Sequence, residues 1–226
     1  MLSNKKVRLC IILTILMGVL AGVFLSDIPA WLKYKKGEIK DYNQVQAGEL
    51  KKGDLVRGTI DQVLGACAEE YSTSYGVRTS DKSSKLYYVL WMDNENFILY
   101  EASGKSYDQL DKITDETVKY YESLVDAKES GDMADVVQPT STMALEGRVT
   151  EIPSKIRGFF KEWYDETFED NEFDSSAEAV MISPLKFDRL QTLVILGFVF
   201  ALLAVGSIIL TVIVIRKEKY NQQYGY

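Results

Sequence analysis

Leu9 to Leu25 and Thr192 to Ile215 are apolar runs without a single charged residue, one near each end of this 226-residue chain. A helix rises about 1.5 Å per residue, so the second run is long enough to cross a hydrocarbon core of about 30 Å with some tilt. The first run is shorter, between the length of a spanning helix and that of a signal-peptide core, and its flanks decide. Its start, Met1 to Arg8, has the basic character of a signal n-region. Yet Leu25-Ser26-Asp27 and Ile28-Pro29-Ala30 lack the small-x-small residues of a cleavage site, which favours an uncleaved anchor. The sequence thus predicts a cytoplasmic tail over 1–8, a transmembrane helix over 9–28, a folded domain over 29–190, a second transmembrane helix over 191–215 and a cytoplasmic tail over 216–226. The lipid bilayer is the first expected partner.

Sidedness does not follow from counting basic residues, because the tails (Lys5, Lys6, Arg8, Arg216, Lys217, Lys219) match the domain side (Lys33, Lys35, Lys36, Lys40, Lys186, Arg189). Long domains translocate largely regardless of charge, whereas the opposite topology needs two short basic tails to cross. A multi-pass protein of the cell membrane with an extracytoplasmic domain is therefore expected. Trp31 and Tyr34 would sit at the outer interface. Gly18 and Gly22, a GxxxG pair, and Gly197 with Ala201 offer helix-packing surfaces, either for the two helices of one chain or for a homodimer seam.

The tails hold six of the 26 basic and one of the 33 acidic residues, so the stretch between them carries 20 against 32, a net −12. That sign repels phosphate backbones, and nucleic acid is not an expected partner. Histidine is absent from the whole sequence, which removes the commonest general base and the commonest zinc ligand. Cys10 lies in the first apolar run and Cys67 in the domain, so no intrachain disulfide is expected. The Leu64-Gly65-Ala66-Cys67-Ala68 setting suits a buried, inert thiol.

Inside the domain, Gly53 to Leu64 reads as one long strand with Gly58 and Gly65 as bend points. Leu86–Met92 and Phe97–Tyr100 form a strand pair around a turn at Asp93-Asn94-Glu95-Asn96. The Ser- and Thr-rich stretch Ser72 to Ser84 reads as a loop. Ser106 and Gln109 have capping-box spacing, and Leu110, Ile113, Thr117, Tyr120, Tyr121 and Leu124 continue at helical period, predicting a helix from Tyr107 to Lys128 stopped at Gly131. Met143 to Ile152 returns to strand. Pro153 opens a helix whose apolar stripe is Ile156, Phe159, Phe160 and Trp163 and which ends near Phe168. Ala179–Ile182 is a last short strand. Five strands with a helix between the third and fourth match an OB-type order, so the expected fold is α+β: a five-stranded OB-like barrel or curled sheet with two helices, flanked by the transmembrane helices.

Motifs that could carry chemistry fail on inspection. Gly104-Lys105-Ser106 ends like a phosphate-binding loop, but Leu99 stands where its first glycine belongs. In the acidic run Asp165, Glu166, Glu169, Asp170, Glu172 and Asp174, an EF-hand register puts Ser175 at the required glycine and Met181 at the bidentate glutamate. Ser183-Pro184-Leu185-Lys186 has S-x-x-K spacing, but Pro184 disrupts the helix that spacing needs, and no partner motif accompanies it. No catalytic residue, metal ligand or cofactor is assigned. Tyr87, Tyr88, Trp91, Phe97 and Tyr100 are the candidate binding face, since aromatic strands of OB barrels stack bases or sugars; alternation divides them between two sides.

Gly53-Asp54-Leu55-Val56-Arg57-Gly58, Tyr87-Tyr88-Val89-Leu90-Trp91 and Leu145-Glu146-Gly147-Arg148-Val149 resemble pieces of a family of two-helix Firmicutes membrane proteins of unknown function, with an OB-like domain between the helices. The resemblance spans nearly the whole chain and implies no activity. The expected function is that of a non-enzymatic cell-envelope protein whose acidic domain docks another membrane or envelope protein, itself included, or senses a cue. The alternatives are an envelope glycan- or peptide-binding module and a hydrolase working through paired carboxylates.

Overall fold

The computed structural model describes residues 5–74, 77–79, 83–92, 96–130, 136–168 and 172–225. In chain order its elements are α1 (Lys5–Leu25), α2 (Ile28–Lys36), β1 (Ile39–Asp41), a 3-10 turn (Tyr42–Gln44), β2 (Leu55–Ile60), β3 (Val63–Glu70), β4 (Thr73–Ser74), β5 (Val77–Arg78), β6 (Lys85–Trp91), β7 (Phe97–Ala102), α3 (Tyr107–Ser130), β8 (Met143–Glu151), α4 (Ser154–Thr167), α5 (Phe173–Ser176), β9 (Ala177–Pro184) and α6 (Phe187–Tyr224). They divide into two compact units, one made of Met1–Gly37 with Lys186–Tyr226 and the other of Glu38–Leu185.

In the helical unit, α1 and α6 are both long and apolar enough to cross a membrane. They pack on each other through small and polar residues. A Cβ at Gly197 would lie 2.7 Å from Leu25 Cδ2 and 3.1 Å from the Leu25 backbone nitrogen, so glycine sets how closely the helices approach. Thr14 and Ser207 share a hydroxyl hydrogen bond of 2.7 Å, and Phe24 stacks on Phe200 at 5.6 Å. Gly18 and Gly22 take no part in this contact, having no heavy atom within 4 Å of where a Cβ would stand. Leu9 and Leu202 are 67% and 73% exposed, as suits side chains that face lipid.

The second unit is α+β. Its main sheet has seven strands in the order β1-β2-β8-β9-β7-β6-β3, with β1/β2 and β7/β9 parallel and the other pairs antiparallel. The sheet is open, with β1 and β3 at its edges. The expected count of five strands is corrected on two points. The run read as one long strand is two, because pairing breaks at Asp61 and Gln62: β2 takes β8 as its neighbour and β3 takes β6. The added β1 has only three residues inside a polar, lysine-rich stretch, too short for a period to show. Of the two expected bend points, Gly65 sits at φ +138 beside a register shift in β3, where an L side chain would be strained. Gly58 instead lies inside β2, against Tyr42 and Asn43 of the 3-10 turn.

Both faces of the sheet are covered, which is why β6 reads as a continuous apolar run. Tyr88, Leu90, Ile98 and Tyr100 pack with Leu110 and Ile113 of α3. On the other face Tyr87, Val89, Leu99 and Met181 pack with Ile156, Phe160 and Tyr164 of α4. The buried stripe of α4 therefore runs through Tyr164, and Phe159 lies at its margin, 37% exposed beneath the Lys155 ammonium. Burial of a ring such as Phe160 contributes on the order of 1.5–3 kcal/mol.

The expected capping box does not form. Ser106 Oγ donates to the Ser103 carbonyl, and Gln109 Nε2 donates to the Thr142 carbonyl just before β8. The Ser72–Ser84 loop contains the β4/β5 ladder. Asp93, Asn94 and Glu95 of the expected turn, the stop at Gly131, and Glu169 and Asp170 of the acidic run lie outside the described residues.

Candidate functional site

The stripe of α3 is fully buried at Leu110, Ile113 and Thr117, but its second half is not: Tyr121 and Leu124 are half-buried, and Val118 and Val125 are 44% and 55% exposed. The helix period outlasts the sheet beneath it. What it leaves open is a groove of about 740 Å³. One wall is α3, with Thr117, Val118, Tyr121, Glu122, Val125 and Asp126; the floor is Leu64 of β3 and Trp91 at the end of β6; the other wall is Trp163, Thr167 and Phe168 at the end of α4.

Its rings are braced from behind. Trp91 stacks on Tyr121 at 5.1 Å with planes 8° apart, and its edge meets Phe97 at 5.5 Å. Phe168 stacks on the same Phe97 at 5.2 Å and meets Trp163 edge-on at 6.2 Å. Aromatic pairs of this geometry contribute about 0.5–1.5 kcal/mol each beyond the area they bury.

The hydroxyls are committed within the protein. Tyr121 donates to Gln62 Oε1 at 3.0 Å, and burial, with Tyr120 beside it, raises its pKa so that the phenol stays protonated. Thr117 donates to the Ile113 carbonyl at 2.8 Å and accepts the Val63 N–H at 3.2 Å, which holds the start of β3 to the helix. Thr167 donates to the Trp163 carbonyl at 2.7 Å. Glu122 and Asp126, one helical turn apart, are exposed. Among the described residues neither makes a hydrogen bond or ion pair.

The sequence-predicted face is divided by the pleat. Tyr87 and Phe97 are buried in the α4-side core and Tyr88 and Tyr100 in the α3-side core, while Trp91 alone of the five lines the groove. Tyr88 donates to Asp111 Oδ1 at 2.5 Å, and burial first, then that bond, pushes its pKa up. The other groove residues were missed because three further segments supply them; the exposed valines on α3 were the available signal. Cys67 is a free thiol packed beside the α4-side core, and burial pushes its pKa up to about 12, which keeps it inert.

The chain belongs to the family described as Domain of unknown function (DUF8577). The match runs over residues 1–216, so the DUF8577 unit includes both apolar helices as well as the sheet domain. No curated protein and no solved structure matches the chain.

A second polar cluster of the DUF8577 domain lies on the sheet. Lys85 Nζ meets Glu101 Oε1 at 2.7 Å, Ser183 Oγ donates to Glu101 Oε2 at 2.9 Å, and Ser183 shares a 3.0 Å hydrogen bond with Thr150. The bond to Glu101 raises the Lys85 pKa, fixing it as a cation. Ser183 of the S-x-x-K sequence is thus engaged by a carboxylate and two strands, a structural arrangement. Among the described residues, no group of three or more metal-binding side chains converges.

Proposed function

We propose that this chain is a non-enzymatic, membrane-anchored protein of a Firmicutes-type cell envelope, whose extracytoplasmic domain senses or docks a ligand in the groove between α3 and α4. The groove carries the reading. Its volume falls in the small-ligand range of about 300–1,000 Å³, its lining is mostly aromatic and aliphatic, and both of its carboxylates sit on the α3 wall. Glu122 and Asp126 are exposed, and Glu178, the one buried acid among the described residues, accepts the Gly48 N–H at 2.7 Å. Paired-carboxylate hydrolysis therefore has no support in the groove, since a general acid is tuned by burial.

An OB-like reading of the sheet accompanies this proposal. β2 and β3, separated by two residues, serve opposite ends of the strand order, α3 lies between β7 and β8, and β7 runs parallel to β9. One bent strand feeding both ends would curl the sheet. In that scheme Trp91 and Leu64 lie on strands of the kind that OB domains use for ligands. Envelope glycans and peptides are the second reading, favoured by Trp91 and Trp163, because indole faces stack on sugar rings.

The test is a fluorescence titration of the full-length protein in detergent. A Trp31→Phe background leaves Trp91 and Trp163 as the reporters, and the panel holds cell-wall fragments, short peptides and small aromatic compounds. Saturable quenching by at least one compound, lost in Val125→Asp, is expected; a flat response throughout the panel would sink the proposal.

A further inference from the structure

Resting on the proposed role of the groove, we infer that its ligand is a small organic cation: one ammonium group carried on an apolar or aromatic body. Three features converge on that chemistry. The lining includes the indoles of Trp91 and Trp163 and the ring of Phe168, aromatic systems whose quadrupole attracts a cation placed over them. Glu122 and Asp126 stand one turn apart on the α3 wall, exposed and without a partner among the described residues, and among those residues no lysine or arginine lines the groove. Charge complementarity therefore points one way, and the net −12 of the region between the apolar runs steers cations toward it.

The hydroxyls narrow the class further. A neutral sugar is held by convergent donors as well as acceptors, but Thr117, Tyr121 and Thr167 each spend their proton inside the protein. What remains on those walls is carboxylate, aromatic ring and valine, the complement of an ammonium on an apolar body. An anion meets two like charges. The volume, about 740 Å³, suits a small molecule rather than a length of folded chain.

Three soluble probes of similar size separate the alternatives: benzyltrimethylammonium, phenylacetamide and phenylacetate, titrated against the full-length protein in maltoside micelles, which carry no choline headgroup. The cation is expected to bind about tenfold more tightly than the amide in low salt, with the carboxylate weakest and the preference shrinking in 1 M salt. Glu122→Gln with Asp126→Asn should lower cation affinity to that of the amide and leave the amide unchanged. Both positions are exposed, so the variant keeps its fold. Trp163→Ala should weaken cation and amide alike.

Equal affinity for the three probes overturns this inference while leaving ligand binding in the groove standing. Cation binding indifferent to Trp163→Ala overturns the site, and a lysine-rich peptide that binds where benzyltrimethylammonium does not replaces the small cation with a peptide partner. Silence from all three probes, together with a flat response to the wider panel, removes the underlying reading as well.

Discussion

Glu116 shows how much one half-buried carboxylate can organise. From the middle of α3 it accepts the Thr140 and Ser141 backbone N–H groups at 2.8 and 2.7 Å on one oxygen, and the Ser141 hydroxyl at 2.7 Å on the other. The Ser141 hydroxyl and backbone, then Thr140, hold its pKa down from 4.5 to about 2. A folded-state pKa below the unfolded one stabilises the native state above the unfolded value, and that stability is lost as pH falls through the folded value. Urea midpoints should therefore drop between about pH 4.5 and pH 2, and Glu116→Gln should lower the midpoint at pH 7 while flattening that acid limb. An unchanged acid limb in the variant would show that the carboxylate does not fasten the segment before β8. Gly147 makes the complementary point about what a sequence conceals. It sits in the middle of a strand because a Cβ there would collide with Ile182 Cγ2 and come within 2.9 Å of the Ser183 carbonyl oxygen. Nothing in the local pattern announces that approach, since the partner strand lies more than 30 residues away.

At the scale of elements, legibility followed period and length. α3 and α4 were readable because apolar residues recur at three and four over many turns; β6 and β7 were readable because aromatic and branched residues crowd them. The division of the long strand was not readable, because Asp61 and Gln62 look like ordinary strand-edge residues. Their role depends on Gln62 meeting the Trp91 N–H through its carbonyl and the Tyr121 hydroxyl through its side chain, both distant in sequence. The groove was hidden for the same reason: alternation tells on which side of β6 Trp91 lies, not that the helices leave its end uncovered. For the helix pair, small residues occur at packing spacing on both helices, and only packing selects among them. Gly197 is used within the chain, beside Leu25, and the register is fixed nearby by Thr14 and Ser207. T14C with S207C should form an intrachain disulfide on oxidation in detergent, read as a mobility shift at monomer mass. Failure to crosslink, or a crosslinked dimer in its place, would reject this register. G18C, on the face without a neighbour, should not pair with S207C.

For the whole molecule, the question is on which side of the bilayer the acidic domain folds, and the proposed function depends on the answer. Basic residues flank both membrane ends equally, so charge bias alone decides nothing. The asymmetry lies in length: long domains translocate largely regardless of charge, while the tails here are short and basic. The strongly negative domain adds a second consideration. An anionic cytoplasmic leaflet would repel a region of net −12, whereas the tails carry a net +5 that this leaflet attracts, at about 1 kcal/mol per basic residue near the surface. Both arguments favour tails inside and domain outside. An amine reagent that cannot enter cells should therefore modify Lys128 and Lys155, exposed on α3 and α4, in intact cells, and should reach Lys217 and Lys219 only after permeabilisation. Mass spectrometry of the labelled peptides reads this directly. The reverse pattern would place the groove in the cytoplasm, where its ligand would be a metabolite of the cell interior and the envelope-sensing role would have to be abandoned.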